Sequence, residues 1–209
     1  MAARNVAPTK SNLLAIRQEL DLARQGYDLL DQKRNILVIE LLSLVDQATD
    51  FEKRVSESLT EAFHHLEEAV LSGGRLPLVN LSSAVNIGAS IDLSARKVMG
   101  VRLPVANTTF AEHAPYFSPA GSSYRVDQAI ESFKAVLSDI GRLAELKVSI
   151  MRLAHETRRT IRKVNALEKI AIPELRETVT MIQDRLEESE RDMFVLMKMV
   201  KSRLEAKER

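Results

Sequence analysis

Leu13-Leu-Ala-Ile16-Arg-Gln-Glu-Leu20-Asp-Leu-Ala23-Arg-Gln-Gly-Tyr27-Asp-Leu-Leu30 sets apolar residues alternately three and four positions apart. The spacing continues through Leu37, Leu41, Leu44, Ala48, Phe51 and Val55, with Arg34 occupying one place in the series. A sustained 3-4 repeat predicts a long helix that offers one narrow apolar seam to a partner helix. Beyond Val55 the pattern steps by four to Leu59 before resuming at Ala62, Leu66 and Ala69, a stutter that relaxes a left-handed supercoil locally. Pro8, Thr9 and Ser11 signal the helix start. Ser72-Gly73-Gly74 signals its end, because glycine adopts the left-handed cap conformation at little steric cost.

A second segment of the same kind begins near Tyr124. Its series runs through Val126, Ile130, Phe133, Leu137 and Ile140, and later through Ile161, Val164, Ala171, Leu175, Val179, Ile182, Leu186, Met193, Leu196 and Val200. Pro173 lies inside it, where a proline removes one backbone donor and presses on the preceding turn at a cost of ~3 kcal/mol, or bends the helix. At ~1.5 Å per residue the two segments would run roughly 95 and 125 Å. Between them, residues 75–123 hold four of the six prolines, so no long helix crosses this region. Alternation in Ala89–Ser94 and Lys97–Val105 predicts two short strands with Ser94–Lys97 as the turn, and Asn107–Ser123 reads as a return loop. The predicted fold is mainly α: a long antiparallel two-helix coiled coil with a small central insert containing a short β-hairpin. Its parts are a tail over 1–8, a helix over 9–71, the insert over 72–123 and a helix over 124–209.

Aromatic residues make up 4% of the chain and Trp is absent, which suits a thin seam of Leu, Ile, Val and Ala. The absence of cysteine excludes disulfides and thiolate metal sites. Net charge is +1, so no global field calls for nucleic acid or an anionic membrane. Its distribution is uneven: twelve acidic against seven basic residues over 9–71, two against five over 72–125, and fifteen against seventeen over 126–209. If charge sets the register, the acidic tract Asp46–Glu68 faces the basic run Arg152–Lys169, with residues near 57 opposite residues near 160. The N-terminus lacks an apolar signal region, and no window approaches the ~20 apolar residues of a membrane span. Membrane insertion is not expected.

Chemistry-bearing patterns are sparse. Glu61-Ala-Phe-His64 matches one Glu-x-x-His unit of helical di-metal sites, but such a site needs a second unit and further inward carboxylates, and none is in the sequence. His64 and His65 therefore read as solvated or rim residues. Gly73-Gly74-Arg75 lacks the spacing of a phosphate loop, and Met99-Gly100-Val101 is a single glycine within a predicted strand. The basic run Arg152–Lys163 has no interleaved aromatic platforms, so nucleic-acid binding is not predicted. No catalytic, cofactor-binding or metal residues emerge. Met193-Phe-Val-Leu-Met197-Lys-Met-Val200 is different: its apolar residues cover most of the helix circumference, more than one seam can bury, which marks an interface. Methionine fits such a surface because it tolerates several packing geometries.

Four stretches together resemble the D subunit of V-type and archaeal-type rotary ATPases: Ala7-Pro-Thr-Lys-Ser-Asn-Leu-Leu-Ala-Ile-Arg-Gln-Glu-Leu20, Ala23-Arg-Gln-Gly-Tyr-Asp-Leu-Leu-Asp-Gln-Lys-Arg34, Val98-Met-Gly-Val-Arg-Leu-Pro104 and Arg162-Lys-Val-Asn-Ala-Leu-Glu-Lys-Ile-Ala-Ile-Pro173. The resemblance implies a non-catalytic central-stalk rotor component, located in the cytoplasm and peripheral to the membrane. Implied partners are the catalytic A/B hexamer, the small F subunit of the central stalk and a membrane-side socket subunit of C or d type; the rotor component itself binds no nucleotide. Lys10 and Arg17 on one helix, with Met193, Met197, Lys198, Val200, Lys201 and Arg203 on the other, are the candidate hexamer contacts, although the family motifs do not single them out. The hairpin near Ile91–Val105 would modulate hydrolysis or contact the F subunit. Gly26 and Gly141 either allow close helix approach or are tolerated exposed positions. The competing reading is a helical scaffold or adaptor that homo-oligomerises through the same seam.

Overall fold

The computed structural model describes residues 6–85, 88–111, 116–118 and 122–207. In chain order the elements are α1 (Lys10–Gly73), α2 (Arg75–Ser82), β1 (Ala89–Val98), β2 (Val101–Phe110), α3 (Tyr124–Ala166), a π-helical turn (Leu167–Ala171) and α4 (Ile172–Lys207). Thr9 caps α1: its side-chain oxygen accepts the Asn12 amide at 3.2 Å, satisfying one of the orphan donors of the first turn. Gly74, at φ +82°, ends α1 and donates its amide to the Val70 carbonyl at 2.8 Å. Helix α2 follows at once, a short element that the sequence signals do not predict. Pro77 sits in its first turn, where a missing N–H costs nothing. No helix among the described residues is long and apolar enough to cross a membrane.

The chain divides into two compact units. One comprises Met1–Asn35 with Arg158–Arg209. Its core joins Ile16 and Leu20 of α1 to Leu175, Val179 and Ile182 of α4, with Leu13, Ala23 and Leu186 packed around them. Lys10 reaches Glu190 while Ile16 and Leu20 meet residues 175–182, so the numbers run oppositely and the two segments are antiparallel. Before Pro173 the helix widens: the Ile172 amide bonds to the Leu167 carbonyl, five residues back rather than four. One inserted residue loosens the turn on which the proline ring would press, so the strain expected from Pro173 is absorbed in a π turn.

The other unit is Ile36–Thr157. Leu37, Leu44 and Ala48 of α1 meet Leu146 and Leu153 of α3, and Leu103 of the hairpin completes this core with no exposed surface. Burial of each such leucine contributes ~1.5–3 kcal/mol. Glu52 pairs with Lys147 at 3.2 Å and Glu68 with Arg125 at 2.7 Å, again antiparallel. These pairs put Glu57 across from the turn around Arg142, so the register expected from charge is wrong. Exposed ion pairs are each worth ~0.2–1 kcal/mol, too little to override the leucine seam. The seam of α3 also departs from its expected phase: Leu137 and Ile140 are each 43% exposed, whereas Ala129 and Val136 are buried.

The hairpin pairs Val98 with Val101, so its turn is Met99-Gly100 rather than Ser94–Lys97. Both turn residues have positive φ, 47° and 85°, as the mirror-image two-residue turn of a hairpin requires. Strand β2 extends to Phe110, into the segment expected to be loop; the rest of that loop lies partly outside the described residues. β2 is held along α3. Arg152 donates to the Arg102 carbonyl at 2.9 Å, and the buried Glu145 carboxylate accepts the Ala106 amide at 3.0 Å while Arg142 neutralises it at 2.8 Å. At Gly141 an added Cβ would lie 2.6 Å from Thr108 Oγ1. Gly141 thus serves a close approach, but of helix to strand rather than helix to helix. Gly26 has nothing within 4 Å and is an open position.

Candidate interaction surface

Every sequence-derived candidate belongs to the first unit, on α1 and α4. Lys10, the first residue of α1, pairs with Glu190 of α4 at 2.8 Å. The Glu190 hydrogen bond and charge raise the Lys10 amine above its ordinary value, and the same contact lowers the Glu190 carboxyl. Both groups stand in solvent, so the pair fixes a position more than it adds stability. It marks the point where the two helices cease to face each other, because α1 begins at Lys10 and α4 continues for a further seventeen residues, to Lys207.

Beyond Glu190, every residue from Arg191 to Val200 is exposed. Met193, Met197 and Val200 are 58%, 54% and 55% exposed and repeat at i, i+4 and i+7, which puts them on one side of α4. Phe194, Lys198 and Lys201 repeat in the same way on another side and line a shallow apolar surface with Val195 and Met197. Arg203 lies one turn further on and is exposed. The structure therefore gathers Met193, Met197, Lys198, Val200, Lys201 and Arg203 onto a single overhang. Lys10 is joined to the base of that overhang through Glu190. Arg17, exposed two turns into α1, lies beside the buried pair Ile16 and Leu20.

Within the stretch Met193–Val200 read from sequence as an interface, Phe194, Leu196 and Met199 are exposed as well, and Leu204 extends it by one turn, all between 49% and 72% exposed. Apolar residues surround α4 here on all sides, and among the described residues no opposing helix covers them. Contiguous exposed apolar residues rimmed by lysines have the character of surfaces that protein interfaces bury.

The histidine expectations divide. His64 is solvated and lies 3.6 Å from Glu68. His65 is half-buried, with Nδ1 2.8 Å from Ser132 Oγ and Nε2 3.1 Å from the Gln128 side-chain amide. It joins α1 to α3 rather than sitting at a rim. Among the described residues no group of three or more His, Asp or Glu side chains is placed to hold a metal ion.

Comparison with known proteins covers nearly the whole chain. The family described as the ATP synthase D subunit matches residues 12–202. The chain is 37% identical over 206 residues to the A-type ATP synthase D subunit of Thermococcus kodakarensis, covering 97% of this chain and 96% of that one. It is 35% identical over 205 residues to the A-type D subunit of Thermococcus sibiricus, with the same coverage. It is also 35% identical over 201 residues to the V-type ATP synthase D subunit of Thermotoga neapolitana, covering 96% of this chain and 98% of that one.

Proposed function

The chain belongs to the ATP synthase D-subunit family, and from that premise we propose that it is the central-stalk rotor component of a V/A-type ATPase. In this role it carries torque between the catalytic A/B hexamer and the membrane ring, and it performs no chemistry itself. The observation that carries the reading is the apolar end of α4, which runs past the start of α1 and is exposed on all sides. A surface of that kind enters a partner, and the A/B hexamer is the partner that the family role supplies. A membrane-side socket subunit of C or d type and the F subunit of the central stalk are the further partners of this role.

Torque requires that the two helices turn as one body. Burial of leucine, isoleucine and valine across an antiparallel seam provides that coupling in each unit, since close-packed side chains transmit strain. A single asymmetric pair of helices inside a near-threefold ring touches the three catalytic interfaces differently. Its orientation then biases each toward a different nucleotide affinity, which is coupling through differential contacts.

Reconstitution with the A and B subunits tests the reading. The full chain should join the hexamer, and a chain ending at Glu190 should keep its melting temperature while binding the hexamer at least tenfold more weakly. A homodimer that forms no complex with A, B or F would support the scaffold reading instead.

A further inference from the structure

The two edges of the hairpin are unequal. The Ala111 amide bonds to the Gly88 carbonyl at 2.8 Å, and this fixes the phase of the ladder: even-numbered residues of β1 bond to β2, and odd-numbered residues point their N–H and C=O groups outward. By the same alternation, Arg102, Pro104 and Ala106 face outward from β2. That edge is closed, because Arg152 takes the Arg102 carbonyl, Pro104 has no donor and Glu145 takes the Ala106 amide. The edge of β1 is open. Among the described residues the sheet has only these two strands, and every residue from Ala89 to Lys97 is exposed. Ile91 and Leu93, both outward-bonding, are 59% and 74% exposed.

We propose that the free edge of β1 receives an extended strand from another protein of the assembled complex, which becomes the third strand of the sheet. This rests on the reading of the chain as one component of such a complex. A row of in-plane donors and acceptors at every second residue is a template on which another strand can pair in place of water. The side chains on that row define its chemistry: apolar residues opposite Ile91 and Leu93, small neighbours at Ala89 and Ala95, and a carboxylate opposite Lys97. Arg96 is held by Glu40 of α1 at 3.6 Å, which leaves Lys97 as the cation of that row and favours an apolar occupant with an acidic residue opposite it.

Residue-resolved hydrogen exchange on the chain alone and in the purified complex tests this. The amides of Ile91, Leu93 and Ala95 should exchange fast in the free chain and at least tenfold more slowly in the complex. Leu93→Pro should abolish that protection at Ile91 and Ala95 while leaving the amides of Asp92 and Ser94 protected by β2, because the lost N–H points away from the hairpin. Odd-numbered amides that stay fast in an assembled complex overturn the inference alone. Protection already present in the free chain, with a doubled mass, assigns the edge to a second copy and also overturns it. A chain that never assembles with the A and B subunits overturns the proposed function and this inference with it.

Discussion

At Gly141 two effects oppose each other. Alanine in a helix interior gains ~1 kcal/mol over glycine, but here its Cβ would meet Thr108 Oγ1. We expect Gly141→Ala to leave the melting temperature unchanged or lower, and to raise it when Thr108→Ala is also present; equal effects in both backgrounds would show that the notch is not used. Glu145 lies four residues on, where its buried carboxylate satisfies a strand amide. Glu145→Ala should lose about 1–3 kcal/mol, the cost of leaving a buried group unsatisfied, and should speed exchange at Ala106 without affecting the first unit. Thr157 is 4% exposed and its hydroxyl finds no hydrogen-bond partner among the described residues. Thr157→Val should therefore raise stability, as a calorimetric scan would register. The Lys10–Glu190 pair sits at the other extreme. Its Glu190 share is present above the ordinary carboxylate range and fades as pH falls through the lowered value, and its Lys10 share fades as pH rises through the raised one. Solvent screening makes both small, so Lys10→Ala should leave melting unchanged between those limits.

At the scale of elements, legibility in the sequence depends on how a residue signals its state. The long helices are legible because leucine at 3-4 spacing has no other common use, and the hairpin because its strands alternate. The turn is misplaced in the sequence pattern because Met99 carries no turn signature, although Gly100 beside it does, and the pairing of Val98 with Val101 forces both into positive φ. Helix α2 is hidden by Pro77, which reads as a breaker unless it falls in a first turn. Pro173 is visible as a defect, but its resolution as a π turn depends on the seam residues on either side, Val164 and Leu175, holding their phase. Deleting Ile170 from that turn should restore regular helix only when the proline is also replaced. The deletion combined with Pro173→Ala should melt near the parent temperature, and the deletion alone should cost ~3 kcal/mol. Similar melting of the two would show that the π turn is not an accommodation of the proline.

For the whole molecule, the family and the antiparallel pairing of the helices are readable from the sequence, and the register is not. Charges of opposite sign can be aligned in many ways along two long helices, and each alignment differs by a fraction of the energy of one buried leucine. Leu37, Leu44, Leu146 and Leu153 decide the matter in their unit, as Ile16, Leu20, Leu175 and Ile182 do in theirs. The overhang of α4 is legible because Met193–Val200 is too apolar for any one-sided contact. The contacts of its individual residues are not, since they depend on the shape of a partner.

Direct observation of rotation tests the central claim. The chain has no native cysteine, so Ser83→Cys provides a single attachment point in the unit that does not carry the overhang. With the A/B hexamer fixed to a surface and a bead on that thiol, ATP should drive continuous turning in one direction, lost when the chain ends at Glu190. ATP hydrolysis at the full rate with a stationary bead would contradict the account.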